Sequence, residues 1–233
     1  MHRHAIYFAP PADHPLARFA AAWLGRCPEG RLPGPRPVLP SVDSGRLETV
    51  VAEPARYGFH GTLKPPFRLA AGRDVDDLDT RLDDLARGLR PFALPALRLR
   101  AIGRFLALVP GAPSPTLDAV AAACVTGLDA FRAAPTAAEL ERRRRGRLDP
   151  RQEELLARWG YPHVLDRFQF HLTLTGPLPP DEQAPLERAL APLVAPHCQA
   201  PLPFTDLARF VEPAPGAPFT LARRFPLGGP PAS

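Results

Sequence analysis

The chain has 233 residues, with 29 basic against 24 acidic side chains and a net charge of +5. Charged residues at 23% and apolar ones at 45% are ordinary globular values, which argues against wholesale disorder and allows a proper core. No apolar stretch approaches the roughly 18 residues of a membrane span, and Met1-His2-Arg3-His4 leads only into Ala5-Ile6-Tyr7-Phe8, so neither a membrane partner nor a secretory leader is expected.

In chain order, residues 5–8 read as a strand and Pro15–Leu24 as an amphipathic helix, with Leu16, Phe19, Ala20 and Trp23 at helical spacing. A proline- and glycine-rich connection, 28–40, leads to a short helix capped by Asp43 or Ser44. Residues 57–63 alternate like a strand that Pro65-Pro66 should stop. Residues 74–89 form a helix with Leu78, Leu82 and Leu85 on one face, and 96–102 and 105–109 are strands turning at Gly103. A helical insert over about 114–160 is expected as three pieces, 114–131, 136–145 and Pro150–Trp159. Strand 168–175, helix 181–193 and strands 206–211 and 219–225 complete the chain. Without a steady βαβ alternation, the pattern predicts an α+β fold with antiparallel sheet.

Cys27, Cys124 and Cys198 are far apart and odd in number, which offers neither a disulfide framework nor a zinc pair and makes a reducing cytoplasm the default location. None of the four serines lies in a Gly-x-Ser-x-Gly elbow, which excludes that class of serine hydrolase. Of the 29 basic residues only Lys64 is lysine, so a compact ammonium has a reason to be there, or one lysine survived by chance.

The two halves repeat. His60-Gly61-Thr62-Leu63-Lys64-Pro65-Pro66-Phe67 matches His171-Leu172-Thr173-Leu174-Thr175-Gly176-Pro177-Leu178. A phenylalanine precedes each histidine (Phe59, Phe170), and an arginine stands four residues before it (Arg56, Arg167). Strand alternation puts Arg56, His60, Thr62 and Lys64 on one face, and Arg167, His171, Thr173 and Thr175 on the matching face of the second copy. If the copies pack about a pseudo-twofold axis, the two polar rows meet in one cleft. Two imidazoles there suit phosphodiester chemistry without a metal or cofactor, one taking a proton from water and the other protonating the leaving oxygen. The threonine hydroxyls would hold phosphate oxygens, and the cations would offset developing charge.

These paired motifs resemble the 2H phosphoesterase superfamily. Tyr57-Gly58-Phe59-His60, Trp159-Gly160-Tyr161-Pro162 and Phe210-Val211-Glu212-Pro213 resemble a branch of it encoded among phosphonate-utilisation genes, beside the carbon–phosphorus lyase pathway. The resemblance implies a single bilobal domain over 1–233 with duplicated antiparallel sheets and flanking helices. It implies His60 and His171 as the acid–base pair, with Thr62 and Thr173 as phosphate-holding partners. In that branch alanine often follows the first histidine; Gly61 stands there here and should point away from the cleft.

Lys64, Arg56, Arg167 and Thr175 are candidate substrate ligands, and Tyr161 in the loop Tyr161-Pro162-His163 is placed to lid the cleft. The run Arg142–Arg145 with Arg147 reads either as a solvated helix face or as a phosphate or nucleic-acid site. The leading expectation is a phosphodiesterase acting on a small cyclic or linear phosphoester, with a ribosyl cyclic phosphate of phosphonate breakdown as its substrate. The alternative is a non-catalytic RNA- or nucleotide-binding protein using the same cleft.

Overall fold

The computed structural model describes residues 2–39 and 42–228. Its strands are β1 (Arg3–Phe8), β2 (Gly61–Phe67), β3 (Phe92–Leu94), β4 (Leu97–Ile102), β5 (Phe105–Pro110), β6 (Leu172–Thr173), β7 (Leu202–Phe204), β8 (Asp206–Glu212) and β9 (Thr220–Pro226). The helices are α1 (Pro15–Leu24), α2 (Ser44–Tyr57), α3 (Val75–Arg87), α4 (Pro115–Gly127), α5 (Ala137–Arg144), α6 (Pro150–Trp159) and α7 (Pro180–Val194). Among the described residues no helix is long and apolar enough to cross a membrane.

The mixed α+β expectation is met by two antiparallel sheets with flanking helices. Seven strands run in the order β4-β5-β6-β2-β1-β8-β9, and β3 pairs with β7 in a small second sheet. The two histidine motifs are therefore not on separate sheets: β2 and β6 are antiparallel neighbours, joined at Gly61 and Leu172. The β4–β5 hairpin, which follows the first motif, packs beside the second at β6. The β8–β9 hairpin, which follows the second motif, closes beside β1.

Strand β1 shows how the sheet is sandwiched. Ile6 and Phe8 point into the main core with Leu16 and Trp23 of α1, Leu78 and Leu82 of α3 and Leu117 of α4. Ala5, Tyr7 and Ala9 point the other way, into a smaller cluster with Ala208, Phe210 and Phe219. Both faces of this central strand are covered, so every residue from His4 to Ala9 is buried and the sequence reads as an apolar run. At about 1.5–3 kcal/mol for each large side chain buried, the helix side of the sheet dominates stability. The Trp23 indole N–H donates to the Leu174 carbonyl (2.8 Å), which ties α1 to the end of the second motif.

Three local expectations need correction, and two short strands were not expected. The segment before His60 is not strand: α2 runs on to Tyr57, and Gly58 at φ 73° turns the chain into β2, so Arg56 sits in the last helical turn. Prolines 65 and 66 do not stop β2; they lie beyond its pairing with β6 and opposite an irregularity in β1, where no ladder N–H is needed. The second motif strand is only two residues long, preceded by a 3-10 turn at Leu165–Arg167, so Arg167 is not on it. The short strands β3 and β7 had no sequence signal above their flanking prolines.

Candidate active site

An open cleft of about 1080 Å³ lies over the face of the sheet that carries Tyr7. His60, Thr62, His171 and Thr173 all line it, so the two histidine–threonine pairs share one space. The sheet register explains this. Gly61 faces Leu172 across the β2–β6 pair, so continuing the antiparallel pairing sets His60 against Thr173 and Thr62 against His171.

Each imidazole is held in the same way. His60 Nδ1 lies 2.8 Å from the Gly58 carbonyl, and His171 Nδ1 lies 2.8 Å from the Gln169 carbonyl, in both cases two residues back. A carbonyl only accepts, so Nδ1 carries the proton in both neutral rings and Nε2 is left with its lone pair. For His60 the Thr62 hydroxyl is 3.3 Å from Nε2, placed to donate to it. Gly58 thus serves twice, its positive φ ending α2 and its carbonyl orienting the ring.

The surroundings of the two rings differ. Tyr7 stacks on His60 with centroids 3.8 Å apart, whereas the residue opposite Thr173 on β5 is Ala107 and His171 meets Phe105 at 5.5 Å. Burial pushes His60 down to about 4, against the help of the Gly58 carbonyl and with further lowering from His171. His171 is lowered too, by burial and then by His163, while the Gln169 carbonyl opposes the shift. Both shifts favour the neutral ring.

Gly61 points away from this space. A Cβ there would come within 2.3 Å of Phe170 Cε2, because the ring before the second histidine fills the hole under the first motif. Gly61→Ala is therefore expected to cost about 1–3 kcal/mol, with part returned by adding Phe170→Leu. A double-mutant cycle in denaturant checks this, and additive losses would show that the two residues are not in contact.

Lys64 does not line the cleft. Tyr7 faces Thr62 but Ile6 faces Lys64, so an extra residue at Leu63 breaks the alternation and turns Lys64 to the helix side. There it is buried, donating to the Val125 carbonyl (2.9 Å) with Asp129 at 3.8 Å. Thr175 meets a similar irregularity but stays in the cleft lining. The N–H groups of Leu174 and Thr175 both reach the Leu106 carbonyl, and the buried Thr175 Oγ1 at the cleft margin accepts the Leu106 N–H (2.9 Å). Period-two counting failed at Lys64 because of the bulge after Thr62, whereas Thr175 still lines the cleft.

Burial lowers Lys64 to about 8, against the pull of Asp129. Between that value and the ordinary 10.5 the unfolded chain holds a proton that the folded chain has lost, so stability rises with pH across this window. Lys64→Met should lie within about 1 kcal/mol of wild type at pH 7, keep wild-type kcat/KM and lack that rise. Denaturation between pH 7 and 10.5 checks it, and a raised KM with the pH trend intact would return Lys64 to substrate binding.

Of the arginines, Arg167 is exposed, pairs with Asp149 (2.9 Å) and is not among the cleft residues. Arg56 does reach the cleft, as does Arg3, which the sequence reading did not single out. Both are ion-paired to Glu212, a fully buried carboxylate that also accepts the Gly216 N–H (3.1 Å). At the other side stand Tyr161, Pro162 and His163 with Arg142 and Arg143. Among the described residues no group of three or more histidines, cysteines and acids stands close enough together to hold a metal ion.

Two curated proteins are similar to the chain, both described as ribose 1,5-bisphosphate phosphokinase PhnN. That of Janthinobacterium sp. (strain Marseille) is 36% identical over 98% of this chain and 51% of its own length. That of Laribacter hongkongensis (strain HLHK9) is 39% identical over 95% of this chain, again 51% of its own length. The chain thus spans about half the length of the curated relatives it matches. Two solved structures show a distant likeness. One, a phosphoesterase, has 15% identity and a TM-score of 0.42 over 98% of this chain and all of its own. The other, E. coli LigT complexed with NADP+, has 16% identity and a TM-score of 0.44 over 98% of each chain. Residues 62–220, more than half of the sequence, match the family described as protein of unknown function (DUF1045), and the chain belongs to that family.

Proposed function

We propose that the chain is a metal-independent phosphodiesterase in which His60 and His171 act as base and acid on a small cyclic phosphoester. The carrying observation is the matched pair of imidazoles, each oriented by the carbonyl two residues back and both lining one cleft. His60, more strongly shifted and stacked on Tyr7, is the base: its Nε2 takes a proton from water as the water oxygen bonds to phosphorus. The ester P–O bond opposite breaks, and the leaving oxygen takes a proton from Nε2 of His171, which the entering anion has helped to protonate. The Thr62 and Thr173 hydroxyls hold the non-bridging oxygens, and Arg3 and Arg56 supply positive potential from one side.

The same reading treats residues 1–233 as one bilobal unit of two duplicated halves, with segment 114–160 inserted between the motifs. The exchanged hairpins and the paired bulges support it. The curated relatives are described by a kinase activity, yet this chain's one lysine lies in Gly61-Thr62-Leu63-Lys64-Pro65, which is no Gly-x-x-x-x-Gly-Lys-Ser/Thr phosphate loop. We therefore assign that kinase chemistry to the half the chain does not span, and to this half a reaction on a related ribosyl cyclic phosphate of phosphonate breakdown.

The test is turnover of ribose 1,2-cyclic phosphate, a nucleoside 2′,3′-cyclic phosphate and a 2′,5′-linked dinucleotide by purified protein in EDTA. Opening of the ribosyl ester, undiminished by EDTA, is expected. No turnover of any of the three, or turnover that EDTA abolishes, overturns the reading.

A further inference from the structure

The arginine run at the end of α5 divides in the fold. Arg144 turns outward and pairs with Glu153 (3.0 Å), whereas Arg142 and Arg143 line the cleft. Arg143 is half-buried and lies over the Tyr161 ring, 5.3 Å from its centroid. The nearby acid, Glu139, is already used: it pairs with Arg68 (3.2 Å) and accepts the N–H of Thr136 (2.7 Å), the residue that caps α5. Among the described residues no carboxylate lies within ion-pair distance of Arg143.

A partly desolvated guanidinium without a counter-ion, braced on an aromatic face and open to a cleft, is a poor way to stabilise a fold and a good way to hold an anion. It also comes from a different part of the fold than the histidines. They stand just before β2 and β6, whereas Arg143 comes from the helical segment and reaches the cleft beside Tyr161, which meets His163 at 5.7 Å. A volume near 1080 Å³ is far more than one phosphate fills, and suits a small organic ligand.

We infer that Arg143, supported by Tyr161, is a second anion-binding point of the cleft, so that the ester it accepts carries a second phosphate on the same small molecule. This rests on the diesterase reading above for the first phosphate. A polynucleotide fits less well. The cleft aromatics are already engaged, Tyr7 on His60, Tyr57 on Phe219 and Tyr161 under Arg143, which leaves no free row of rings for successive bases.

Two measurements test it. In turnover, wild type should prefer ribose 1,2-cyclic phosphate bearing a 5-phosphate over the same ester without it, by about 10- to 100-fold in kcat/KM and mainly through KM. Arg143→Met should remove most of that margin, Arg143→Lys should retain part, and Arg144→Met, on the same helix but paired outward, should retain all of it. Calorimetric titration with ribose 1,5-bisphosphate and ribose 1-phosphate needs no turnover: tighter binding of the bisphosphate, lost in Arg143→Met, supports the site. If binding shows the margin but neither ester turns over, the diesterase reading falls and the second anion site stands. An equal margin in wild type and Arg143→Met overturns the site. So does tight binding of a short single-stranded RNA that depends on Arg143 with no margin between the two sugar phosphates.

Discussion

Alanine at either His60 or His171 is expected to lower kcat by about 10²–10⁴, and the double variant should lose little more, because base and acid act in one step. Folding should change far less, since both rings face the cleft rather than the main core. Thr62→Val and Thr173→Val should cost less than either histidine change, because each removes one phosphate contact and leaves proton transfer in place. The pH profile is a sharper check. The base must be unprotonated, so kcat/KM should rise through about 4, where burial has put His60. The acid must be protonated, so kcat/KM should fall again through the His171 value, which lies below the ordinary 6.5. The optimum should therefore be on the acid side of 6.5, and the kcat profile should sit higher, because a bound anion favours both protonated rings. Near wild-type turnover in either alanine variant, or a kcat/KM optimum above pH 8, would end the acid–base assignment.

The histidines and threonines were legible because a repeat was. Two matched strings of eight residues, each with a phenylalanine before the histidine, fix which residues share a face near the start of the strand, and here those residues do share one cleft. The assignment degraded with distance from the histidine. Two residues on, at Thr62 and Thr173, alternation still held; four residues on, a bulge had turned Lys64 out of the cleft while Thr175 stayed in it. Nothing in Thr-Leu-Lys-Pro or Thr-Leu-Thr-Gly announces a bulge, although the proline pair after Lys64 hints that regular pairing ends there. Upstream, the strand placement of both arginines failed for another reason, although Arg56 still reaches the cleft. Matching positions in a repeat need not share secondary structure, and Arg56 ends a helix while Arg167 closes a 3-10 turn. The lone lysine was unusual for a reason the composition does not hold, the burial of an ammonium against the end of α4.

Glu212 carries the largest stability effect expected of any single change. It lies in Phe210-Val211-Glu212-Pro213, a string that stood out in the sequence without a role, and the structure supplies one. Its fully buried carboxylate accepts from Arg3 and Arg56, two cations that line the cleft, and from the Gly216 N–H. The group is thus a positioning residue for one end of the cleft as well as a link between β8, β1 and the end of α2. Burial alone would raise its pKa, but the hydrogen bonds from Arg3 and Arg56 win and hold it down at about 2. A depressed carboxyl contributes stability that is fully present above the unfolded value of 4.5 and is lost as pH falls towards 2. Glu212→Ala leaves two guanidinium groups without their shared partner and should cost about 3–5 kcal/mol. Glu212→Gln keeps the shape and the Gly216 contact and should cost less, yet still lose the charge. In acid titrations of stability the wild type should therefore fall between pH 4.5 and 2 more steeply than Glu212→Gln, with the two curves converging at the acid end. Kinetically, Glu212→Gln should raise KM more than it lowers kcat, because Arg3 and Arg56 are displaced while the imidazoles and their carbonyls are untouched. Parallel stability curves for wild type and Glu212→Gln through that window would show that the carboxylate does not hold the two arginines in the folded protein.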